Sequence, residues 1–266
     1  MITLTTDFGL TSEYVGVMKG VILSRSPHAT IVDINHSLAA QDITEAAFLI
    51  RSVFSWFPEG SVHVVVVDPG VGSGRRIVLV EAAGHRFLVP DNGVATLLLN
   101  ELGPVRAYVV SREEYFLEPV SATFHGRDIF APVAAKLDGG LASSMVGPEI
   151  GVAELVSLQD IFPVPDSARG EIRGKVVSVD SFGSLISNIS RDNMMDWGYD
   201  PADGGLAVGV GGQGIGPLRR AYSDVEKGRL LALLGSRNYL EVAVNGGSAA
   251  CELKAAKGIK VTVSRS

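Results

Sequence analysis

The stretch Val62–Arg76, VHVVVVDPGVGSGRR, decides how the chain is read. Its first part, Val62–Val67, is a nearly continuous β-branched apolar run, the pattern of a strand buried on both faces in a parallel sheet. The run stops on Asp68-Pro69-Gly70, where a carboxylate meets two turn-forming residues. Gly72, Gly74 and the pair Arg75-Arg76 follow in one short loop. Open α/β sheets bind ligands beyond the carboxyl ends of their strands. Asp68 and Arg75 therefore read either as a turn former and a surface arginine or as members of a site.

Working outward, strand and helix patterns alternate through the first half of the chain. Ile2–Thr6 is a strand ending on Asp7-Phe8-Gly9. Thr11–Ser24 has helical spacing, and Thr30–Ile34 is a second strand. Asp42–Phe57 is a helix that Asp42 can cap, with Glu45 three residues on. Arg76–Glu81 and Arg86–Val89 form a hairpin, a helix runs from Asn92 to about Leu102, and Val105–Val110 is a strand. A helix over Gly126–Leu137 is entered through Thr123-Phe124-His125. This alternation predicts an α/β domain with a largely parallel sheet.

After about Ile161 the helical period disappears. Phe162–Asp166 is a Pro-punctuated connector, and short strands divided by Gly- and Asn-rich turns follow it, the signature of an all-β sandwich or small barrel. The expected fold is an N-terminal α/β domain over residues 1–164 and a C-terminal all-β barrel over 165–266. The polar segment Asp192–Gly204, with Trp197 inside it, reads as a long loop.

The 266 residues suffice for a sizeable core, and the net charge of -6 argues against a nucleic-acid binder. A single cysteine, Cys251, leaves no intrachain disulfide or cysteine-rich metal site and suits a reducing compartment. The first residues lack a signal-peptide pattern, and no apolar run is long enough to span a membrane. A cytoplasmic protein with no membrane partner is expected.

Among the polar groups, Asp7 and Asp68 would share a crevice if their strands were close, and such a carboxylate can hold a ribose diol. His125 stands out from five histidines by its place at a helix start. Its alternative is a histidine that caps the turn. The other histidines have no partner at zinc-ligand spacing, and Gly70–Gly74 does not keep the dinucleotide spacing. In the second half, Asp180 could accept from an ammonium, and Arg237 beside Ser236 could bind a carboxylate bidentately. Together they suit the zwitterionic end of an amino acid, although each is also an ordinary turn residue. Phe182 and Tyr222 could stack on a base or fill the barrel.

With these residues assembled, the whole chain resembles the S-adenosylmethionine (SAM) hydrolase family, the SAM hydroxide adenosyltransferases, related to the fluorinase and chlorinase. The landmarks are TTDFG at Thr5–Gly9, VVDPGVGSGRR at Val66–Arg76, TFHGRDIFAP at Thr123–Pro132, VDSFGSLISNI at Val179–Ile189, GSRNYLEVAVN at Gly235–Asn245 and GSAA at Gly247–Ala250. The resemblance implies that Asp68, Arg75 and His125 position the attacking water and that Asp7 holds the ribose hydroxyls. It also implies that Asp180 meets the methionine ammonium, Ser236 and Arg237 meet its carboxylate, and Tyr222 lies beside adenine. The family usually reads Asp-x-Phe-Gly-Asn where this chain has Ser184, so no adenine contact carries over onto that side chain. Asn188 keeps its place in the motif.

The activity so implied is water attack on the ribose C5′ of SAM, giving adenosine and L-methionine. No metal or cofactor is expected, because a sulfonium leaves as a neutral thioether. A homotrimer with sites at its subunit interfaces is also implied. The alternatives are a SAM-dependent halogenase and a non-catalytic sensor of SAM or adenosine. A halide site wants hydrogen-bond donors and no adjacent carboxylate, so Asp68 speaks for water.

Overall fold

A computed structural model describes residues 1–265. The chain divides into two compact units, Met1–Leu158 and a second beginning at Gln159. The change lies a few residues before the boundary read from the sequence. The connector segment Val164–Asp166 is itself a strand, paired with the first long strand of the second unit.

In the first unit, β1 (Ile2–Thr6) is buried at every position. It runs parallel to β2 (Ile31–Asn35) on one side and β3 (Val62–Val66) on the other. β3 is also wholly buried, as its unbroken valine run requires. Beyond it lie β5 (His85–Pro90), parallel to β3, then β4 (Ile77–Ala82), β6 (Val105–Val109) and a short edge strand β7 (Glu149–Ile150). The sheet order is β2-β1-β3-β5-β4-β6-β7, parallel across its first four strands and antiparallel across the rest.

The helices of this unit follow their sequence signals closely. α1 (Tyr14–Arg25) buries Val15, Met18 and Ile22 at helical spacing. α2 (Ile43–Val53) is capped as expected: the Asp42 carboxylate accepts from the Glu45 N–H at 2.9 Å. It tightens into a 3-10 turn, Phe54–Trp56, before Pro58. α3 (Thr96–Glu101) is short, and α4 (Ala131–Asp138) packs with α1 in the core that covers the sheet. The segment before α4, Gly126–Phe130, is a π-helical turn and not the start of a regular α-helix.

The second unit contains β8 (Val164–Asp166), β9 (Glu171–Val179), β10 (Leu185–Ser190), α5 (Arg191–Asp196) and β11 (Leu206–Val210). Then come β12 (Gln213–Arg219), β13 (Leu230–Leu234), β14 (Tyr239–Val244), α6 (Ala249–Glu252) and β15 (Lys260–Arg265). Strands β10-β14-β13-β12-β11-β15-β9 form a continuous sheet, and β9 pairs back onto β10. The result is a closed barrel, filled by residues such as Ile172, Leu185, Val208, Leu240 and Val263. Closure pairs the last barrel strand with the first, and β8 remains as an edge strand on β9.

One sequence expectation fails here. Asp192–Gly204 is not a long loop: it holds most of α5 and a 3-10 turn, Pro201–Asp203. Ser190 Oγ accepts from the Asn193 N–H at 3.0 Å, and Asn193 Oδ1 accepts from the Ser190 N–H at 3.2 Å. This reciprocal cap starts a helix in a polar segment with no clear apolar period. Trp197 packs against the barrel core, which gives the segment its anchor.

Candidate active site

β1 and β3 are neighbours in register, Thr6 opposite Val66, so Asp7 and Asp68 leave the carboxyl ends of adjacent strands. That satisfies the condition on which their shared crevice depended. Asn92 Nδ2 donates to the Val67 carbonyl at 2.9 Å and ties down the end of the β3 run. The loop then folds on itself: Val71 N–H donates to the Asp68 carbonyl, and Ser73 donates both N–H and Oγ–H to that of Gly70. Its tip lies against another segment. Gly72 has φ +76°, and a Cβ there would sit 2.1 Å from the carbonyl oxygen of Ala122. Only glycine allows both the left-handed backbone and this approach.

That contact brings the 68–76 loop to the segment carrying His125. Arg75 Nε lies 2.8 Å from both oxygens of Asp68, and its Nη2 donates to Asp68 Oδ2 and, at 2.9 Å, to His125 Nδ1. The Asp68 side chain is 4% exposed and that of Arg75 10%. Burial and the Arg75 cation push the His125 imidazole below its ordinary pKa, with Asp68 and Asp128 opposing. A guanidinium only donates, so Nδ1 is the unprotonated nitrogen and Nε2 carries the hydrogen. His125 makes no capping bond to the turn it precedes.

The flanks of the array are pinned as well. Asp128 is buried and accepts from the Ser121 N–H at 2.8 Å and from Arg127 Nε at 2.6 Å. The Arg127 and Asp128 N–H groups both reach the Phe124 carbonyl, and the Ala131 N–H closes the π turn on the Gly126 carbonyl; such turns recur at functional sites. Phe124, next to His125, packs edge-on to Phe8, next to Asp7, at 6.0 Å, and Tyr14 packs against both, at 5.0 and 5.5 Å. Asp7 Oδ2 accepts from the Gln41 N–H at 2.7 Å. The spacing of the sequence showed neither Asp128 nor the aromatic trio. The Gly-Arg-Asp turn was the only local signal for the former.

The second unit carries its own cluster. Asp180 Oδ1 accepts from the N–H groups of Phe182 (3.0 Å) and Ser184 (2.8 Å), a side-chain-closed turn between β9 and β10. Gly183 has φ +83°, and a Cβ there would meet Ser248 Oγ at 2.0 Å, so this turn sits on the Gly247–Ala250 segment. Phe182, 79% exposed, and Tyr222 line a cavity of about 510 Å³ with Ser184, Asn245 and Gly246. These two aromatic rings therefore face a concavity and not the barrel core. Ser236 and Arg237 lie in the turn joining β13 and β14.

Asn188 behaves differently. It is buried in the barrel wall, its Oδ1 accepting from the Lys175 N–H at 2.7 Å and its Nδ2 donating to the Ile161 carbonyl at 3.0 Å. Gly174 leaves room for that oxygen. Both ends of the amide thus hold backbone. Conversely, Glu241 on β14 had no place in the sequence reading and is only 6% exposed, beside this cluster. A lone acid within the apolar run Tyr239–Val244 was its only signal. Among the described residues, no three His, Cys, Asp or Glu side chains gather as a metal site, and no helix is long and apolar enough to cross a membrane.

Residues 2–147 match the SAM hydroxide adenosyltransferase N-terminal domain, and residues 174–262 match the C-terminal domain of the same family. The chain is 39% identical to a protein of Thermus thermophilus named (R)-S-adenosyl-L-methionine hydrolase, over 96% of each chain. It is 30% identical to a fluorinase of Nocardia brasiliensis, covering 99% of this chain and 96% of that one. A crystal structure described as an uncharacterized conserved protein from Thermotoga maritima superposes with a TM-score of 0.90 at 36% identity over the full length of both.

Proposed function

The chain belongs to the SAM hydroxide adenosyltransferase family, and from that premise we propose that it hydrolyses S-adenosyl-L-methionine to adenosine and L-methionine. The observation that carries the reading is the buried carboxylate of Asp68, fixed by the Arg75 fork beside His125. A halide nucleophile would be repelled by such an anion, whereas a water molecule, which becomes cationic as it attacks, is stabilised by it. The identities agree with this choice: the hydrolase relative is nearer than the fluorinase relative.

The reaction forms a bond from the water oxygen to C5′ while the C5′–S bond breaks. The bonding pair stays on sulfur, which leaves as the neutral thioether of methionine, so neither a general acid nor a metal is required for departure. The oxygen then loses one proton. His125 has its proton on Nε2 and its Nδ1 engaged by Arg75, so it orients the water as a donor and Asp68 takes the proton. Asp7 holds the ribose diol, the cavity beside Phe182 and Tyr222 takes adenine, and Asp180, Ser236 and Arg237 take the amino-acid end. The catalytic and methionine-binding groups belong to different units of the chain; we assign their meeting to subunit interfaces of a homotrimer. A cytoplasmic location, where SAM is made and used, fits this activity. The relative's name specifies the R configuration at sulfur, and the same epimer is assigned as a substrate here.

The test is incubation with each sulfonium epimer of SAM, with halide present and absent, followed by chromatography. Adenosine with methionine supports hydrolysis. A 5′-halo-adenosine supports the halogenase, and binding without turnover supports a sensor; either outcome overturns the assignment.

A further inference from the structure

Glu241 is a buried carboxyl group with no part in the chemistry described above. Its neighbours on β14, Leu240 and Val242, face the barrel core, while Glu241 lies on the other face of the strand. The turn that carries Ser236 and Arg237 is laid directly on it: a Cβ on Gly235 would sit 1.8 Å from Glu241 Oε1. The Tyr222 hydroxyl reaches its Oε2 at 3.5 Å. The charges facing it are Arg237, which favours the carboxylate, and Asp180, which opposes it, while burial is the largest influence and raises its pKa.

The hydrogen-bond inventory of the cluster is uneven. An ammonium group has three hydrogens to donate. Asp180 already uses Oδ1 for two backbone N–H groups, which leaves Oδ2. Glu241 is the other carboxyl group facing this set, and it is held in place from two sides. We propose that Glu241 is a specificity-determining residue: with Asp180 it receives the α-ammonium of the ligand's amino-acid end, so that this half-site selects a free amine. The assignment rests on the reading of the cluster as the amino-acid end. It goes beyond that reading by giving the amine two carboxyl partners and by making amine recognition depend on Glu241.

The experiment is calorimetry on the intact protein with adenosine at saturation, comparing L-methionine with its des-amino analogue, (methylthio)butanoate. The parent protein is expected to prefer methionine. Glu241→Gln, nearly isosteric, is expected to lose about tenfold to a hundredfold of that preference, the span of a hydrogen bond to a charged group. Its affinity for adenosine and for the des-amino analogue should stay unchanged, which also shows that it is folded. Full retention of the preference, or an equal loss for both ligands, overturns the proposal while leaving the amino-acid end where it is. A parent protein without any preference removes that reading and the proposal together. Should the variant not fold, Glu241→Asp supplies the test: its carboxyl, drawn back by one methylene, should lose part of the preference for methionine while the des-amino analogue binds as before. An unchanged preference overturns the proposal.

Discussion

Arg75 Nη2 donates to His125 Nδ1 at 2.9 Å, and this one bond decides what the histidine can do. It leaves the imidazole hydrogen on Nε2, so the ring is a donor toward whatever stands beyond it. Nη2 carries two hydrogens, and Asp68 takes the other. Carboxylate, guanidinium and imidazole are therefore one array, in which removal of the middle member releases both ends.

From this follows a shared kinetic signature. Asp68→Ala, Arg75→Ala and His125→Ala should each lower kcat by about 10²–10⁴-fold, with much smaller changes in KM, as for groups used mainly in the transition state. Arg75→Lys should recover little, because an ammonium lacks the fork that engages both oxygens of Asp68. Steady-state kinetics with SAM checks this; parent-like turnover in the three alanine variants contradicts the site.

The protonation state of His125 makes the rate pH-dependent on the acid side. Its folded-state pKa is lowered, first by burial and then by Arg75, so the ring stays neutral down to a pH below about 6.5. Below that, a proton on Nδ1 would face an Arg75 N–H and break the bond. The kcat profile should be flat above about pH 6.5 and fall at lower pH, and His125→Gln should lack that particular limb.

Recognition of the ligand carboxylate by Arg237 should be separable from recognition of the nucleoside. Arg237→Ala is expected to weaken SAM binding by about 1.5–3 kcal/mol, the worth of a charged hydrogen-bond pair, and to leave adenosine affinity unchanged. Equal losses for both ligands in calorimetry would mean that Arg237 supports the turn instead.

Subunit sharing predicts complementation. Homo-oligomers of Asp68→Ala and of Arg237→Ala should be weakly active, while mixed oligomers refolded together should contain some sites with neither lesion. Activity above the sum of the parents is expected. Verified mixed oligomers without recovery, or an active monomer in sedimentation, would show that each chain completes its own site.

A fifth expectation concerns stability. His63 is fully buried, bonded through Nδ1 to Thr3 Oγ1 at 2.8 Å and through Nε2 to His85 Nδ1 at 3.1 Å, and stacked on Phe87. Burial, then the neighbouring His85, lowers its pKa to about 3. The unfolded chain thus binds more protons than the folded one between about pH 6.5 and 3, and stability is lost as pH falls through that window. The loss by pH 5 should be about 2 kcal/mol. Thermal melts at pH 7.5 and 5 should show it, and His63→Gln, which cannot titrate, should narrow the gap.

The sequence by itself determined those features whose cause lies within a few residues. The valine run of β3, the Asp-Pro-Gly stop, the Asp42 cap and the loss of helical period after Ile161 all report local backbone preference and burial, and they suffice for an α/β unit followed by a barrel. Motif spacing also brought out Asp68, Arg75, His125, Asp180 and Arg237. Only the tertiary structure decided which of these groups touch. The Arg75–His125 bond exists because Gly72 admits the carbonyl of Ala122, a contact between segments far apart in the chain. Asn188 became backbone support because Gly174 and Ile161 surround it, and Glu241 entered the second cluster because Gly235 has no side chain to exclude it. Close approach, burial and tautomer are properties of pairs of distant residues, and no local pattern records which pairs the fold will make.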